Sequence, residues 1–168
     1  KGELPEGCQP VSATGSEKGI SAKNLTKDWA EYFNFAKETF SEEQTIKAGL
    51  CTAGEGFLAF GDNLYRMPER MPGVKGLKVL RPGLHLGTLK KNRFEPAHAL
   101  ALALRPEDVK HVWKLSVEEA AVYLKGQTFS AEGEKGWYLI CVDGISRGWG
   151  KLAGGSMKNH YPLSLIHI

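Results

Sequence analysis

Residues 136–162, which read "GWYLICVDGISRGWGKLAGGSMKNHYP", decide the fold of the last part of this chain. Apolar and alternating segments are separated there by two glycine-containing turns, "VDG" and "AGG". Glycine adopts the positive φ angles that tight hairpins require. The stretch therefore predicts a β-meander of three strands.

The same meander carries most of the residues that we take as candidates for binding RNA. Lysine and arginine attract phosphates, an amide pairs with base edges, and a ring stacks on a base with about 1 to 3 kcal/mol. The candidates here are Arg147, Trp149, Lys151, Lys158, Asn159, His160 and Tyr161. Trp149 lies between two glycines, so packing against the sheet explains this ring equally well.

A second basic segment, "LKKNRFEP" at residues 89–96, has the same chemistry and is expected on a strand end or a loop. Its cations are Lys90, Lys91 and Arg93. Phe94 is explained better by core packing. The segment belongs to residues 76–94, "GLKVLRPGLHLGTLKKNRF", which predict short strands interrupted at a Pro-Gly pair, in a small mixed or barrel-like sheet.

An amphipathic helix is predicted near the front of the chain. Apolar side chains recur with helical spacing at Trp29, Phe33, Ala36 and Phe40. We expect the helix to begin near Thr26, with Asn24 or Thr26 as the N-cap. A second, shorter helix is expected over residues 41–48.

Further elements follow from local signals. "GFLAFGDNLYRMP" predicts a hairpin of strands 57–60 and 64–67, because Gly-Asp-Asn between them suits a tight turn. "EPAHALALAL" alternates like a strand, but its Ala-Leu composition favours a helix. Ser116 and Glu119 form a capping box that begins another helix, which ends at Gly126.

The charge distribution is uneven, although the net charge of the 168 residues is only +3. Residues 1–60 carry six lysines and nine acidic residues. Residues 75–105 carry seven lysines and arginines and one acid, and residues 135–162 carry four and one. An acidic front followed by two basic blocks suggests a surface for a polyanion, or a face that is merely solvated.

Composition narrows the class of protein. The chain is 42% hydrophobic and 24% charged, with no apolar run near the roughly 18 to 20 residues of a membrane span. Its three cysteines form no Cys-x-x-Cys pair, which argues against a disulfide framework. We expect a cytoplasmic protein that does not contact membranes. Cys141, in "WYLICVDG", is expected to be a buried strand thiol.

The motifs of common enzyme sites are absent from the sequence. It contains no Gly-x-Gly-x-x-Gly, no phosphate-binding Gly-Lys-Ser/Thr loop and no Gly-x-Ser-x-Gly elbow. His85, His98 and His111 are thirteen residues apart each time, too far for a metal motif. Paired carboxylates lie near predicted helix starts, where they favour the helix dipole. We therefore assign no catalytic, cofactor-binding or metal-binding residue.

Residues 76–104, "GLKVLRPGLHLGTLKKNRFEPAHALALAL", and residues 136–162 resemble the C-terminal region of bacterial rRNA cytosine-C5 methyltransferases of the Sun family, RsmF-like branch. The resemblance covers roughly residues 25–162. It implies that this chain holds structured rRNA, of the small subunit, for an upstream domain that uses S-adenosylmethionine. By position, the RNA-facing character of "LKKNRFEP" and "KNHYP" carries over. No catalytic residue does, so the chain alone is expected to bind RNA as a monomer and to catalyse nothing.

The resemblance implies an α+β architecture. We expect a linker at residues 1–23, a small helix-plus-hairpin domain at 24–74, and at 75–162 a PUA-like mixed β pseudo-barrel with packed helices. The last residues, 163–168, read "LSLIHI", which departs from the family and resembles a translated sequencing adapter. The alternative function is a free-standing RNA-binding or ribosome-associated protein without methylase activity.

Overall fold

The computed structural model describes residues 22–41, 57–68 and 81–165. Most of the predicted linker, residues 42–48 of the expected helix and the last three residues of the predicted tail lie outside them. Helix α1 spans Ala22–Thr39, with Trp29 and Ala36 buried in it and Phe40 buried directly after it. The predicted N-caps are wrong, since the helix already begins at Ala22 and both residues lie inside it.

Four strands form an antiparallel meander, which we call the first sheet. They are β1 (Phe57–Phe60), β2 (Asn63–Arg66), β3 (Leu84–Lys90) and β4 (Arg93–Pro96), in that order. The β1–β2 hairpin is the predicted one. A two-residue turn, in which Asn92 has a φ of 60°, joins β3 to β4.

The pairing of β2 with β3 corrects the predicted division of the chain. Leu64 lies opposite Gly87, and Asn63 Oδ1 accepts a hydrogen bond from Thr88 Oγ1 at 3.0 Å. A boundary between residues 74 and 75 would therefore cut one sheet in two. The same sheet continues through β4, which ends at Pro96.

Two short helices follow the first sheet. Helix α2 (His98–Ala103) follows β4 directly, in agreement with the helical interpretation of the Ala-Leu segment. A 3-10 turn at Pro106–Asp108 comes next. Helix α3 (Val117–Leu124) begins with the predicted capping box, in which Ser116 Oγ accepts from Glu119 N at 3.2 Å. None of the described helices is long and apolar enough to cross a membrane.

The second sheet has five strands. They are β5 (Val112–Leu115), β6 (Phe129–Ser130), β7 (Gly136–Val142), β8 (Ile145–Ala153) and β9 (Ser156–Asn159), in the order β5-β7-β8-β9-β6. Strands β7, β8 and β9 are the predicted meander, and β5 pairs with β7 in parallel. The rings of Trp113 and Phe129, from the two outer strands, lie 6.2 Å apart. The sheet thus curls into a half-barrel.

Each face of the second sheet has its own core. On one face Tyr138, Ile140 and Met157 pack with α3. On the other face Trp137, Leu139 and Trp149 pack with α1 and the first sheet in a shared core. Because this second core takes residues from both sheets, its apolar burial opposes movement of one sheet relative to the other.

Candidate nucleic-acid interface

Strand register places one ring and two cations in a row across the second sheet. Lys151 on β8 lies opposite Trp137 on β7 and opposite Lys158 on β9. Residues directly opposite each other project from the same face. The Lys151 ammonium lies 5.0 Å from the centre of the Trp137 ring, in cation–π range, while Lys158 is exposed.

His160 lies on the same face, two residues after Lys158. Its backbone N–H donates to the carbonyl of Trp149 at 3.1 Å, and its ring centre lies 4.6 Å from that of Trp137. Partial burial lowers the pKa of His160, the Lys151 charge lowers it further, and Glu95 opposes the change. The imidazole is therefore neutral at pH 7, although part of the ring remains exposed.

The tip of the β3–β4 hairpin is basic and exposed. Lys90 lies directly opposite Arg93, and Lys91 occupies the turn between them. The Arg93 guanidinium contacts the Glu95 carboxylate at 2.9 and 3.0 Å. Both side chains are substantially exposed, so this ion pair contributes little stability. Its effect is to orient the Arg93 fork beside Glu95.

Glu95 connects the hairpin tip to the second sheet, because its charge is close enough to act on His160. The two sheets are also joined by the Trp149 indole N–H, which donates to the carbonyl of Ala97 at 3.0 Å. We call the resulting surface the basic face. It comprises Lys90, Lys91, Arg93, Lys151, Lys158 and His160.

Two domain models of one family match the chain. The RsmF rRNA methyltransferase first C-terminal domain matches residues 34–104, and the methyltransferase RsmF PUA domain matches residues 110–166. The chain is a C-terminal region of an RsmF-like rRNA methyltransferase. The first match contains the first sheet with α2, and the second match contains α3 and the half-barrel. The second match also runs into the predicted tail.

In this RsmF-like chain Trp149 is not available to RNA, contrary to its place among the candidate contacts. The ring is 0% exposed and lies 5.9 Å from Phe35 and 6.3 Å from Trp137. Phe94 is buried too, at 4% exposure. Both rings belong to the core that joins the two domains. For these rings, core packing is the correct interpretation.

Asn159 also has a structural role. Its amide nitrogen donates to the carbonyls of Tyr123 at 2.6 Å and Gln127 at 3.0 Å, and its amide oxygen accepts from Tyr161 N at 2.7 Å. The side chain thereby fixes the end of α3 against β9. Because both ends of the amide are used, Asn159 is poorly suited to reading a base edge.

Tyr161 and Arg147 lie away from the basic face. The half-buried Tyr161 ring packs 5.1 Å from His98 and 5.6 Å from Tyr123. Arg147 is exposed, but it precedes Lys151 by four residues on β8, roughly 13 Å along the strand. Of the ten candidates, five cations and one imidazole form the basic face, with Lys151, Lys158 and His160 on the second sheet and Lys90, Lys91 and Arg93 at the hairpin tip.

Two residues of the site were not among the candidates. Trp137 supports His160 and Lys151, and Glu95 acts on His160 from the other domain. Counting back from the hairpin turn in "CVDGIS" places Trp137 opposite Gly150, and only the register shift between Ile140 and Cys141 brings it opposite Lys151. No local signal predicts that the Glu95 charge acts on His160, because the two residues belong to separate sheets.

The described residues offer no cofactor or metal site. They contain no group of three or more His, Cys, Asp or Glu side chains placed to hold a metal ion. Helices α2 and α3 follow Ala97 and Ser116, without the glycine-rich loop that usually binds a dinucleotide or S-adenosylmethionine. Burial raises the pKa of the Cys141 thiol, which makes it unreactive. Methyl transfer is the activity of the methyltransferase family, and we assign no step of it to the described residues.

Proposed function

We propose that this RNA-binding portion holds small-subunit rRNA while a catalytic domain of the same enzyme methylates a cytosine at C5. S-adenosylmethionine would supply the methyl group in that catalytic domain. We further propose that the protein acts as a monomer in the cytosol, where ribosomal subunits are assembled.

The observation that supports this proposal best is that both matched domains contribute cations to the basic face, and that the charge of Glu95, the partner of Arg93, acts on His160. Arg93 and the hairpin tip come from the first sheet, and Lys151, Lys158 and His160 come from the half-barrel. The shared core of Phe35, Trp137 and Trp149 holds the two parts together. A polyanion bound there would contact both domains, and binding would lose little conformational entropy because the shared core already holds them in place.

The test measures affinity for a small-subunit rRNA hairpin by fluorescence anisotropy between 50 and 200 mM salt. Each neutralised phosphate contributes roughly 0.7 to 0.9 to the slope of log K against log salt. Lys158→Ala and Lys91→Ala should each reduce the slope by about one. Lys125→Ala is the control, because Lys125 is exposed at the end of α3, on the opposite face of the half-barrel.

Four outcomes contradict the proposal or a part of it. Affinity that does not depend on salt would show that the chain makes no phosphate contacts. Equal affinity for rRNA and for heparin would reduce the basic face to a general polyanion surface. Equal loss in Lys158→Ala and Lys125→Ala would place binding elsewhere. Large-subunit rRNA fragments bound as tightly as small-subunit ones would contradict the proposed subunit.

A further inference from the structure

The ring of His160 is exposed, yet several contacts fix its position. Its main chain is held by the hydrogen bond from His160 N–H to Trp149 carbonyl, at 3.1 Å. Its side chain meets the Trp137 ring at 4.6 Å between centres and an angle of 64°. Trp137 is itself 8% exposed and packs 6.3 Å from Trp149. A ring held this way loses little conformational entropy when a ligand binds against it.

The charges around this ring suit a nucleotide. Lys158 precedes His160 by two residues on the same face, roughly 7 Å away, and Lys151 reaches over Trp137 beside it. These ammonium groups attract phosphates beside the ring. The imidazole itself is uncharged at pH 7, because burial and the nearby lysines disfavour its protonated form. An uncharged aromatic ring next to two cations offers a surface for stacking with phosphate contacts beside it.

We propose that the imidazole of His160 is the platform on which one unpaired base of the bound RNA stacks. This inference rests on the proposed function and specifies the class of RNA that the basic face selects. Bases inside a duplex are stacked on their neighbours and cannot reach the ring, whereas bases in loops, bulges and single strands can. The Trp137–His160 pair therefore distinguishes looped rRNA from a plain helix.

The experiment compares three substitutions in the whole chain. His160→Phe keeps a ring without charge, His160→Lys keeps a cation without a ring, and His160→Ala removes both. Each variant is titrated with a stem-loop RNA and with a blunt duplex of the same length and number of phosphates. Thermal unfolding of each variant checks that the fold is unchanged, as expected for an exposed side chain.

For the stem-loop, we expect His160→Phe to bind within about twofold of the unmodified chain. His160→Ala and His160→Lys should lose affinity by about 5- to 100-fold, the usual contribution of one stacked base. For the duplex, the affinities of His160→Ala and His160→Phe should lie within about twofold of the affinity of the unmodified chain. His160→Lys should bind the duplex at least as tightly as these two variants do. A 2-aminopurine placed in the loop should be quenched on binding, and less so in His160→Ala.

The reverse pattern would overturn the inference. If His160→Lys keeps stem-loop affinity and His160→Phe loses it, the residue contacts a phosphate and not a base. If His160→Ala binds the stem-loop as well as the unmodified chain does, no base stacks there. In both cases RNA binding and the proposed function survive. If the unmodified chain binds neither RNA, the proposed function itself fails, and this inference fails with it.

Discussion

Replacing Trp149 with phenylalanine should lower the stability of the protein and leave RNA affinity unchanged. The indole is fully buried where the two domains meet, between Phe35 and Trp137. It was a candidate for stacking on a base, and the substitution separates the two roles. A core ring affects the folded fraction, whereas a stacking ring affects the affinity of the folded protein.

The expected loss has two parts. Trp149→Phe removes the hydrogen bond from the indole N–H to the Ala97 carbonyl, worth about 0.5 to 1.5 kcal/mol. That carbonyl also accepts from Leu100 N at 3.1 Å, so it keeps a partner. The smaller ring leaves a cavity that costs about 1 to 3 kcal/mol more. Together these give about 1.5 to 4.5 kcal/mol, or a fall in Tm of roughly 3 to 18 °C for a chain of this size.

Urea denaturation followed by circular dichroism measures the loss, and anisotropy at 10 °C measures RNA affinity of the folded protein. Lys158→Ala is the control variant with the opposite expected result, because it should weaken RNA binding and leave the urea midpoint unchanged. A Trp149→Phe variant with unchanged stability and tenfold weaker RNA binding would refute the burial argument. Such a result would show that the Trp149 ring contacts RNA.

Other substitutions and conditions test the packing around the site. Asn159→Ala should cost about 1 to 3 kcal/mol in urea denaturation, because the end of α3 loses two hydrogen bonds, while RNA affinity of the folded protein stays within twofold. Gly148→Ala should lower the free energy of unfolding by about 2 to 4 kcal/mol, because φ at Gly148 is +153° and an added Cβ would overlap the Tyr123 hydroxyl. Unchanged stability would show that the Tyr123 side chain moves away freely. The pKa values of His85, His98 and His160 are lowered in the folded protein, so just below pH 6.5 the unfolded chain binds more protons than the folded one. Acidification from pH 7.5 to 5.5 should therefore lower the urea midpoint. A midpoint that rises would contradict these lowered pKa values.

Elements with strong local signals were predictable from the sequence. The apolar spacing around Trp29 marks α1, and the Ser116–Glu119 pair marks α3. The glycine turns mark the β7–β8–β9 meander, in which Gly144, Gly154 and Gly155 have positive φ. In each case the periodicity or the turn chemistry depends on neighbouring residues only.

Features that depend on distant pairing were not predictable in this way. The β2–β3 contact joins segments separated by residues 67–83, so the local pattern placed a domain boundary inside the sheet. The strands β5 and β6 are short and gain their partners only from the half-barrel. Asn159 was interpreted as a contact for RNA because its amide suits that role, and only the position of α3 shows that the amide is already bonded.

The "WGK" triplet at Trp149, Gly150 and Lys151 shows why core and surface residues alternate so closely here. Trp149 and Lys151 project from the same face, and the face changes from buried to open between them. Gly150 projects from the opposite face, where an added Cβ would lie 2.7 Å from Met157 Sδ and 2.9 Å from Ile140 Cδ1. The glycine is therefore required by the core that packs with α3, and the change from indole to ammonium marks the edge of the core shared with the first sheet. Because the ring fixes the strand against the other domain, the cation two residues later is held at a defined place on the basic face.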